Sequence, residues 1–467
     1  MSIEEAAGPT AVATTDKLDF KRILPIFVIV LVDLLGLTII IPLMPLYAAS
    51  FSASPAVIGV LGATYPVMQF IGAPILGRLS DRYGRKPILV ISQLGTLTGF
   101  LLLGVANGLP LLFLSRLIDG ISGANIATAQ AAITDSTTEK TRTQGLGLIG
   151  AAFGLGFIIG PVIAFVSLAL TNNNYHAPAF AAAAFSLLSI LLTIFWFKET
   201  LPKERRGAGK EKPSFSFGAM AKAISYPTVG ILLILMFAQQ LAFGGFEQLL
   251  SLFTLSRLGL NAAGNSIVFV YIGVIVVAVQ GGLIGKWSRA YGDRRLIFAG
   301  LALMAVGLVM LGLTPERPVP WYSQTAMTEE LSGNRSLPGE TPPTQNVSLD
   351  LPDETNSGWL GLIWLMVAVV PASIGGGMLS PAINSLITKR VKNDEIGGIL
   401  GISSSFVSAA NALGPLLGGF IFQALGASAP FVAGGVLSGL MLAVAMQRVK
   451  PGQEEHTAVG LARGGGH

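Results

Sequence analysis

Four ionisable side chains lie inside long apolar stretches of the sequence: Asp33, Arg116, Asp119 and Glu247. A charge at membrane depth costs at least about 2.5–3.5 kcal/mol, so such a residue usually faces a partner or a water-filled cavity. Arg116 and Asp119 are three residues apart, which places them on one face of a helix. Burial raises the proton affinity of a carboxylate and a neighbouring guanidinium lowers it. These residue types therefore predict a site that can load and release a proton.

Asp33 and Asp119 are expected to lie in one layer of the membrane. Asp33 follows Leu24 by nine residues, and at a rise of about 1.5 Å per residue it lies about 14 Å along its helix. Asp119 lies equally far along an oppositely directed helix. We take Asp33 as the first candidate for the proton site, Asp119 as the second, and Arg116 as the partner that tunes Asp33. The alternative is a static ion pair that holds the two helices together.

Glu247 is placed with this charge relay, although it lies near the end of its span. It follows the pair Gly244 and Gly245, where a bend would let its side chain reach either a cavity or bulk water. Neutral polar residues in the spans are candidates for a substrate path, with interhelical hydrogen bonding as the plainer alternative. These are Gln239, Gln240, Gln280, Asn384 and Asn411.

The composition is that of a membrane protein. Of 467 residues, 52% are hydrophobic and only 12% are charged, about half the charged fraction of a soluble domain. Apolar runs of about 20 residues recur, which is the length of a helix that crosses a bilayer. Such runs must be helical, because lipid offers no water to hydrogen-bond the backbone. We predict an all-α polytopic membrane protein with transmembrane helices at 22–48, 55–77, 87–107, 110–134, 144–170, 177–198, 226–256, 263–286, 294–314, 358–388, 395–425 and 427–448.

The distribution of positive charge predicts the orientation. All but four of the 30 Lys and Arg fall on the side of the two termini, the exceptions being Arg116, Arg257, Arg317 and Arg335. Cytoplasmic loops are rich in Lys and Arg, so both termini are expected in the cytoplasm, with the protein in the plasma (inner) membrane. The expected organisation is a cytoplasmic tail (1–21), a six-helix bundle (22–198), a cytoplasmic linker (199–225), a second six-helix bundle (226–448) and a cytoplasmic tail (449–467). The extracytoplasmic loop 315–357 carries seven acids and is expected to be disordered.

The two halves repeat one another. At an offset of 254 residues, Gly123 matches Gly377, and Gly160-Pro161 matches Gly414-Pro415. The charged link "GRLSDRYGRK" from Gly77 has a degenerate echo, "GKWSRAYGDRR", at an offset of 208. Two six-helix halves around a cavity at the membrane midplane are a transporter plan. Both Gly-Pro pairs are expected to bend their helices and to permit close packing.

Several stretches resemble one family, the major facilitator superfamily. "GRLSDRYGRK" resembles its signature between the second and third helices, and "FLSRLIDGISGA", Phe113 to Ala124, resembles its fourth-helix motif. "GFIIGPVIA", from Gly156, is similar to the G-x-x-x-G-P pattern of the antiporter branch. "DLLGLTIIIPLMPLY", from Asp33, looks like the first helix of tetracycline and multidrug proton antiporters.

The resemblance implies the major facilitator fold, proton-coupled efflux of small amphipathic compounds, often cationic or zwitterionic, and a monomer. It also implies that the charged link latches the halves together on the cytoplasmic side; the plainer alternative is an anchor of positive charge. The latch residues would be Gly77, Asp81, Arg82, Gly84, Arg85 and Lys86, and the antiporter and helix-bend residues Gly156, Gly160, Pro161, Gly414 and Pro415.

Other functions fit the sequence less well. The alternatives within the fold are a proton symporter or facilitator of a small metabolite and a membrane sensor that transports nothing. The chain contains neither the G-x-x-x-x-G-K-[ST] sequence of a nucleotide-driven pump nor H-E-x-x-H, and it has no cysteine. We therefore expect no enzyme activity, no cofactor, no metal site and no nucleic-acid partner. The expected partners are protons, a small-molecule substrate and the lipid bilayer.

Overall fold

The computed structural model describes residues 20–137, 141–206, 224–225, 229–333, 350–391 and 396–450. Within these ranges the chain is helical and contains no strand, and twelve helical segments are long and apolar enough to cross a membrane. The prediction of an all-α membrane protein with twelve spans is confirmed. The expected terminal tails, most of the linker and the middle of the 315–357 loop lie outside the described residues.

The first six spans comprise eight helices. They are α1 (Phe20–Ile40) with α2 (Met44–Ser50), α3 (Pro55–Tyr83), α4 (Arg85–Gly104), α5 (Leu109–Ser122) with α6 (Asn125–Asp135), α7 (Arg142–Leu170) and α8 (His176–Phe195). The last six spans, with one loop helix, are α9 (Gly230–Leu258), α10 (Ala262–Val277) with α11 (Ile284–Tyr291), α12 (Asp293–Gly312), the loop helix α13 (Gln324–Gly333), α14 (Trp359–Thr388), α15 (Ile396–Leu425) and α16 (Ala429–Arg448).

Two spans are interrupted near the middle of their length. The fourth span breaks at Gly123 and Ala124, between α5 and α6. The eighth span passes through a π-helical segment, Ala278–Leu283, before α11 begins. Irregular backbone at membrane depth is tolerated where it is buried in protein or lines a cavity, and π-helical turns are frequent at functional sites. Both interruptions therefore mark positions near which a site is expected.

The two halves meet mainly where α3 packs on α15 and α7 packs on α10. Small residues make this close approach possible. A Cβ added to Gly419 of α15 would lie 2.7 Å from the Cα of Gly59 on α3, and one added to Gly273 of α10 would lie 2.5 Å from the carbonyl oxygen of Phe157 on α7. At these two points the helices approach closely enough for their backbones to lie in direct contact.

Polar contacts also join the halves at the end of the bundle that carries the 315–357 segment, which we call the loop end. The Ser251 hydroxyl of α9 donates to the carbonyl oxygen of Pro42 at 2.9 Å. The backbone N–H of Ala56, at the start of α3, donates to Gln423 Oε1 of α15 at 3.1 Å. Tyr47 of α2 is fully buried at the same end. The loop end is therefore closed.

The described parts of the 315–357 segment are folded, contrary to the expectation of disorder. Helix α13 packs against α2, and Leu331 on α13 is fully buried. The Glu330 carboxylate accepts hydrogen bonds from Asn173 Nδ2 at 3.0 Å and the Tyr175 hydroxyl at 3.2 Å in the first half, and from Asn261 Nδ2 at 3.1 Å in the second. Burial raises the pKa of Glu330, and these three donors partly offset that effect. The segment straps the halves together at the loop end.

The opposite end of the bundle, which we call the linker end, carries the charged link between α3 and α4. Gly84 joins the two helices with a φ of 106°, a conformation that favours glycine. Glu199 accepts the first backbone N–H groups of α4, from Arg85 at 2.9 Å and Lys86 at 3.2 Å. A carboxylate at a helix N-terminus satisfies free donors and complements the helix dipole. The link is thereby fixed to the segment that begins the inter-half linker.

The link and its echo in the second half hold equivalent ion pairs of opposite sign. In the first half, buried Arg85 contacts Asp135 at 2.9 Å and Asp81 at 2.6 Å. In the second half, Asp293 contacts Lys389 at 2.6 Å. Asp293 corresponds to Arg85 at the offset of 208, and Lys389 corresponds to Asp135 at the offset of 254.

The exchange of sign extends to neighbouring positions. In the first half, the Ser80 hydroxyl accepts a hydrogen bond from Arg85 Nη1 at 2.7 Å. In the second half, the equivalent Ser288 hydroxyl donates one to Asp293 at 2.5 Å. Arg289 stands at the position equivalent to Asp81. A serine hydroxyl can serve both charges because it is donor and acceptor. The two halves therefore share one geometry with the charges exchanged.

This geometry predicts that the first-half charges can be inverted together but not singly. The Arg85→Asp variant would bring three carboxylates together with no cation, and an uncompensated buried charge costs about 3–5 kcal/mol. The triple variant Asp81→Arg, Arg85→Asp, Asp135→Lys reproduces the second-half arrangement and should recover most of that loss. Thermal unfolding of the purified variants in detergent measures this. A triple variant that unfolds as early as Arg85→Asp would contradict the equivalence.

Candidate functional site: a central cavity and an adjoining acidic chamber

A cavity of about 540 Å³ lies between the two halves. Helices α1, α3, α5, α6 and α7 of the first half and α9, α10, α14 and α15 of the second contribute to its wall. Much of the wall is apolar, including Phe153, Phe157 and Phe243. Its polar residues are Tyr65, Gln69, Arg116, Gln239, Gln240, Glu247, Gln248, Gln280, Ser380 and Asn411. A mostly apolar pocket with a few polar groups is typical of small-molecule sites.

Four of the five neutral polar candidates from the sequence line this cavity. Gln240 and Asn411 face each other across the α9–α15 contact, and Gln240 Nε2 donates to Asn411 Oδ1 at 2.8 Å. Gln280 reaches the cavity from the π-helical segment. Asn384 is not among the lining residues; its Oδ1 accepts from the Ser403 hydroxyl at 3.1 Å instead. For Asn384, the plainer alternative of an interhelical hydrogen bond describes the structure.

Asp33 does not line the central cavity but a small chamber beside it. The chamber also contains Asp119, so the two carboxylates lie together as their depths predict. Asn125 Nδ2 donates to Asp33 Oδ2 at 2.7 Å. The other carboxylate oxygen, Oδ1, is buried and has no hydrogen-bond partner among the described residues. Asp33 thus has one oxygen that is hydrogen-bonded to an amide and one buried oxygen that can still accept a proton.

Arg116 pairs with Asp119 rather than with Asp33. Arg116 Nη1 lies 3.0 Å from Asp119 Oδ2, and both side chains are at least 95% buried. The guanidinium also lies over the Phe100 ring, 5.7 Å from its centroid. Arg116 borders the central cavity whereas Asp119 borders the chamber. The ion pair therefore spans the wall between the two spaces.

Asn125 is one of the site residues that sequence reasoning missed; the others are Tyr65, Gln69, Thr96, Gln248 and Ser380. Asn125 is the first residue of α6, directly after the break at Gly123 and Ala124. Because the fourth span is interrupted there, Asp119 at the end of α5 and Asn125 at the start of α6 both border the chamber. The available signal was a polar amide two residues after a glycine in an apolar span.

Glu247 lies away from the other three charged residues. It lines the central cavity from α9, in the opposite half, beside Gln248. The four charged residues predicted to form one relay are therefore divided between two places. Asp33, Arg116 and Asp119 surround the chamber and its wall, and Glu247 faces the cavity alone among the acids of its lining.

The predicted latch residues contact their own half of the protein. Asp81 is 46% exposed and pairs with Arg85, while Lys86 Nζ donates to the carbonyl oxygen of Ile194 at 2.7 Å. The Arg82 guanidinium lies over the neighbouring Tyr83 ring, and a Cβ at Gly77 would meet no atom within 4 Å.

The predicted helix-bend residues lie at close helix contacts. Pro161 and Pro415 lie inside the unbroken helices α7 and α15. Gly160 packs directly on Thr38 of α1, with Gly156 one turn earlier beside the same residue. A Cβ at Gly414 would lie 3.0 Å from the backbone nitrogen of Gly245 on α9. The glycines thus permit the close packing that was expected of them.

Comparison with known proteins agrees with this architecture. The chain is 29% identical to the class B tetracycline resistance protein of Escherichia coli over 85% of this chain and 87% of that protein. It is 28% identical to multidrug resistance protein 1 of Bacillus subtilis (strain 168), over 83% and 86% of the two chains. Among solved structures, the human organic anion transporter MFSD10 (TETRAN) matches with a TM-score of 0.57 and 21% identity, covering 92% of this chain and all of that one.

A second solved structure shares the fold at much lower identity. The nucleoside transporter NupG matches with a TM-score of 0.66 and 10% identity, over 91% of this chain and all of that one. The family model of the Major Facilitator Superfamily matches residues 26–327 and 356–463. With its twelve spans, its repeated halves and its central cavity, this chain belongs to the Major Facilitator Superfamily of membrane transporters.

Proposed function

We propose that this protein is a proton-coupled antiporter that exports small amphipathic compounds by alternating access. The observation that carries the proposal is the acidic chamber, with Asp33 and Asp119, directly beside a largely apolar cavity between the halves. The chamber offers a site for the proton, and the cavity offers a site for the solute. Efflux as the direction is supported by the tetracycline and multidrug resistance proteins among the relatives.

The linker end is proposed to face the cytoplasm, as the positions of Lys and Arg favour. Contacts between the halves close the loop end, whereas the ion pairs at the linker end lie within one half or the other. This pattern fits a conformation in which the cavity communicates with the cytoplasm. Both termini would then be cytoplasmic, and the 315–357 segment would lie outside, in a plasma (inner) membrane protein that acts as a monomer.

In the proposed cycle, Asp33 gains and loses the coupling proton. Its Oδ2 stays with Asn125 while the open Oδ1 takes the proton. Gain or loss of this proton changes the charge of the chamber by one unit, in surroundings that solvate a charge poorly. This change of charge acts on Arg116 because its partner, Asp119, borders the same chamber. A static pairing of helices would leave Asp33 Oδ1 without a function.

The proposed solute is amphipathic and often cationic or zwitterionic. Aromatic side chains on both sides of the cavity supply apolar contact area. Gln240, Asn411 and Gln280 supply hydrogen bonds without a fixed charge, and Glu247 supplies the single acid of the lining. Few polar contacts in an apolar site give loose selectivity, which is suited to a range of compounds.

The alternatives predict different fluxes. A proton symporter would move solute and proton in the same direction, a facilitator would ignore the pH gradient, and a membrane sensor would show no flux. The test is purified protein in proteoliposomes with an imposed pH gradient and a panel that includes tetracycline and lipophilic cations. Proton movement and solute flux are read together. Opposite, coupled movement supports antiport, and its absence across the panel would reject it.

Asp33→Asn is expected to abolish transport driven by a pH gradient. The amide keeps the shape of the side chain and its contact with Asn125 but takes up no proton in this pH range. Exchange of solute down its own gradient should persist, since the cavity is untouched. Glu329→Gln, which removes an exposed carboxylate on α13, is the matched control and should behave as wild type. Full pH-driven transport by Asp33→Asn would show that the proton binds elsewhere.

Asp81→Asn is expected to slow transport without preventing membrane insertion, because the proposed latch must form across the halves when the linker end closes. Arg78→Gln removes an exposed cation from the same link and tests the alternative of a positive-charge anchor. Initial transport rates are compared with the orientation of each variant, determined by protease accessibility of the termini. Unchanged rates for Asp81→Asn would reject the latch.

A further inference from the structure

We propose that Tyr65 is a movable partition between the central cavity and the chamber, and that it controls when Asp33 and Asp119 exchange protons with the cavity. This inference rests on the proton-coupled function proposed above. It assigns to Tyr65 a positioning role, since the residue would act through the carboxylates behind it.

The wall between the two spaces is one side chain thick. Leu37, Tyr65 and Ile126 line both the central cavity and the chamber. Leu37 and Ile126 are aliphatic, so Tyr65 is the only one of the three with a polar group. Movement of this layer is therefore sufficient to join the chamber to the cavity.

Tyr65 lies against the interruption of the fourth span. Its hydroxyl packs so closely on Gly123 that a Cβ there would collide with it. Gln69, one turn further along α3, donates its Nε2 to the Gly123 carbonyl oxygen at 3.0 Å and lies 3.4 Å from the Tyr65 hydroxyl. The ring is thus seated on the turn that places Asp119 on one side and Asn125 on the other.

The helix that carries Tyr65 also forms the contact between the halves. Gly59 and Gly62 on α3 pack against α15, where a Cβ at Gly62 would lie 3.1 Å from Pro415 Cβ. Leu37, by contrast, is on α1, which packs mainly on α7 and α8 of its own half. When the halves rock against each other, α3 transmits the movement directly to Tyr65.

Pro66 follows Tyr65 inside α3. Proline in a helix interior removes the hydrogen bond to the residue four positions earlier and kinks the helix. The earlier residue here is Gly62, which lies at the contact with the opposite half. The backbone between that contact and Tyr65 therefore lacks one helical hydrogen bond, as a hinge requires.

The groups that face the chamber explain why its closure matters. They are Asp33 from α1, Thr96 from α4, Asp119 with its partner Arg116 from α5, and Asn125 from α6. A permanently open wall would let Asp33 equilibrate with the cavity in every orientation of the halves. Protons would then cross the membrane without solute, so coupling needs a partition that opens at one stage only.

The experiment measures proton influx into proteoliposomes in the absence of solute. Tyr65→Ala removes the partition and should raise this influx several-fold, whereas Tyr65→Phe keeps the ring and should restore the wild-type value. Ile71→Ala shortens an exposed side chain on the same helix, away from both spaces, and is the matched control, expected to show the wild-type influx. Adding Asp33→Asn to Tyr65→Ala should abolish the excess influx, because the leak passes through the chamber.

Thiol labelling gives a second readout that does not depend on flux. The chain has no cysteine, so single reporters can be introduced. Thr96→Cys, in the chamber, should react with a small hydrophilic thiol reagent several-fold more slowly than Gln240→Cys in the cavity, and Tyr65→Ala should remove the difference. Equal labelling rates in the presence of Tyr65, or wild-type proton influx in Tyr65→Ala, would overturn the inference.

The outcomes for the two proposals are distinguishable. Wild-type protein that moves solute without counter-movement of protons contradicts the proposed antiport. Wild-type protein that is coupled, together with a Tyr65→Ala variant that leaks no protons, contradicts only the partition. An excess influx that persists after Asp33→Asn is added also contradicts it, because the leak would then bypass the chamber.

Discussion

The structure depends on one constraint: a charged group inside a membrane must find a partner or water within the protein. Arg116 and Asp119 satisfy each other at 3.0 Å, and Asp33 shares one oxygen with Asn125. Among the described residues, no ion pair or hydrogen bond joins Glu247 to a partner, and its side chain lines the central cavity instead. Each intramembrane charge therefore has a partner at the chamber, lies on the cavity wall or, in the case of Arg116, does both. In the proposed function, this division separates the site for the proton from the site for the solute.

The same constraint explains how the two halves keep one geometry with opposite charges. An ion pair depends on the distance between unlike charges and on the supporting hydrogen bonds, and not on which helix carries the cation. Arg85 with Asp135, and Asp293 with Lys389, satisfy this condition equally. A search for identical residues at a fixed offset finds the glycines and prolines but passes over these positions. The repeat is preserved more fully in physical terms than in residue identity.

Length and hydropathy were enough to predict the spans, because a bilayer fixes both the length and the conformation of what crosses it. Depth along the helices also predicted that Asp33 and Asp119 lie together. The face that each helix turns toward the cavity was harder to predict, because membrane helices are apolar on most faces and their sequences show little periodicity. For that reason Asn384 was assigned to the cavity, Asp33 was paired with Arg116, and Asn125 was missed. Helix α13 was missed because its sequence carries few apolar residues, although Met327 and Leu331 among them are buried.

In the antiport proposed above, a chamber separate from the cavity has a consequence for coupling. If solute and proton competed for one carboxylate, only solutes able to displace a proton directly would be exported. Here Asp33 is shielded from the solute, and Arg116, which borders the cavity, is paired with Asp119 behind the wall. A solute can thus alter the electrostatics of the chamber through this ion pair without entering it. Coupling then depends on charge and on the position of the wall more than on solute shape, which is the condition for one proton site to serve many compounds.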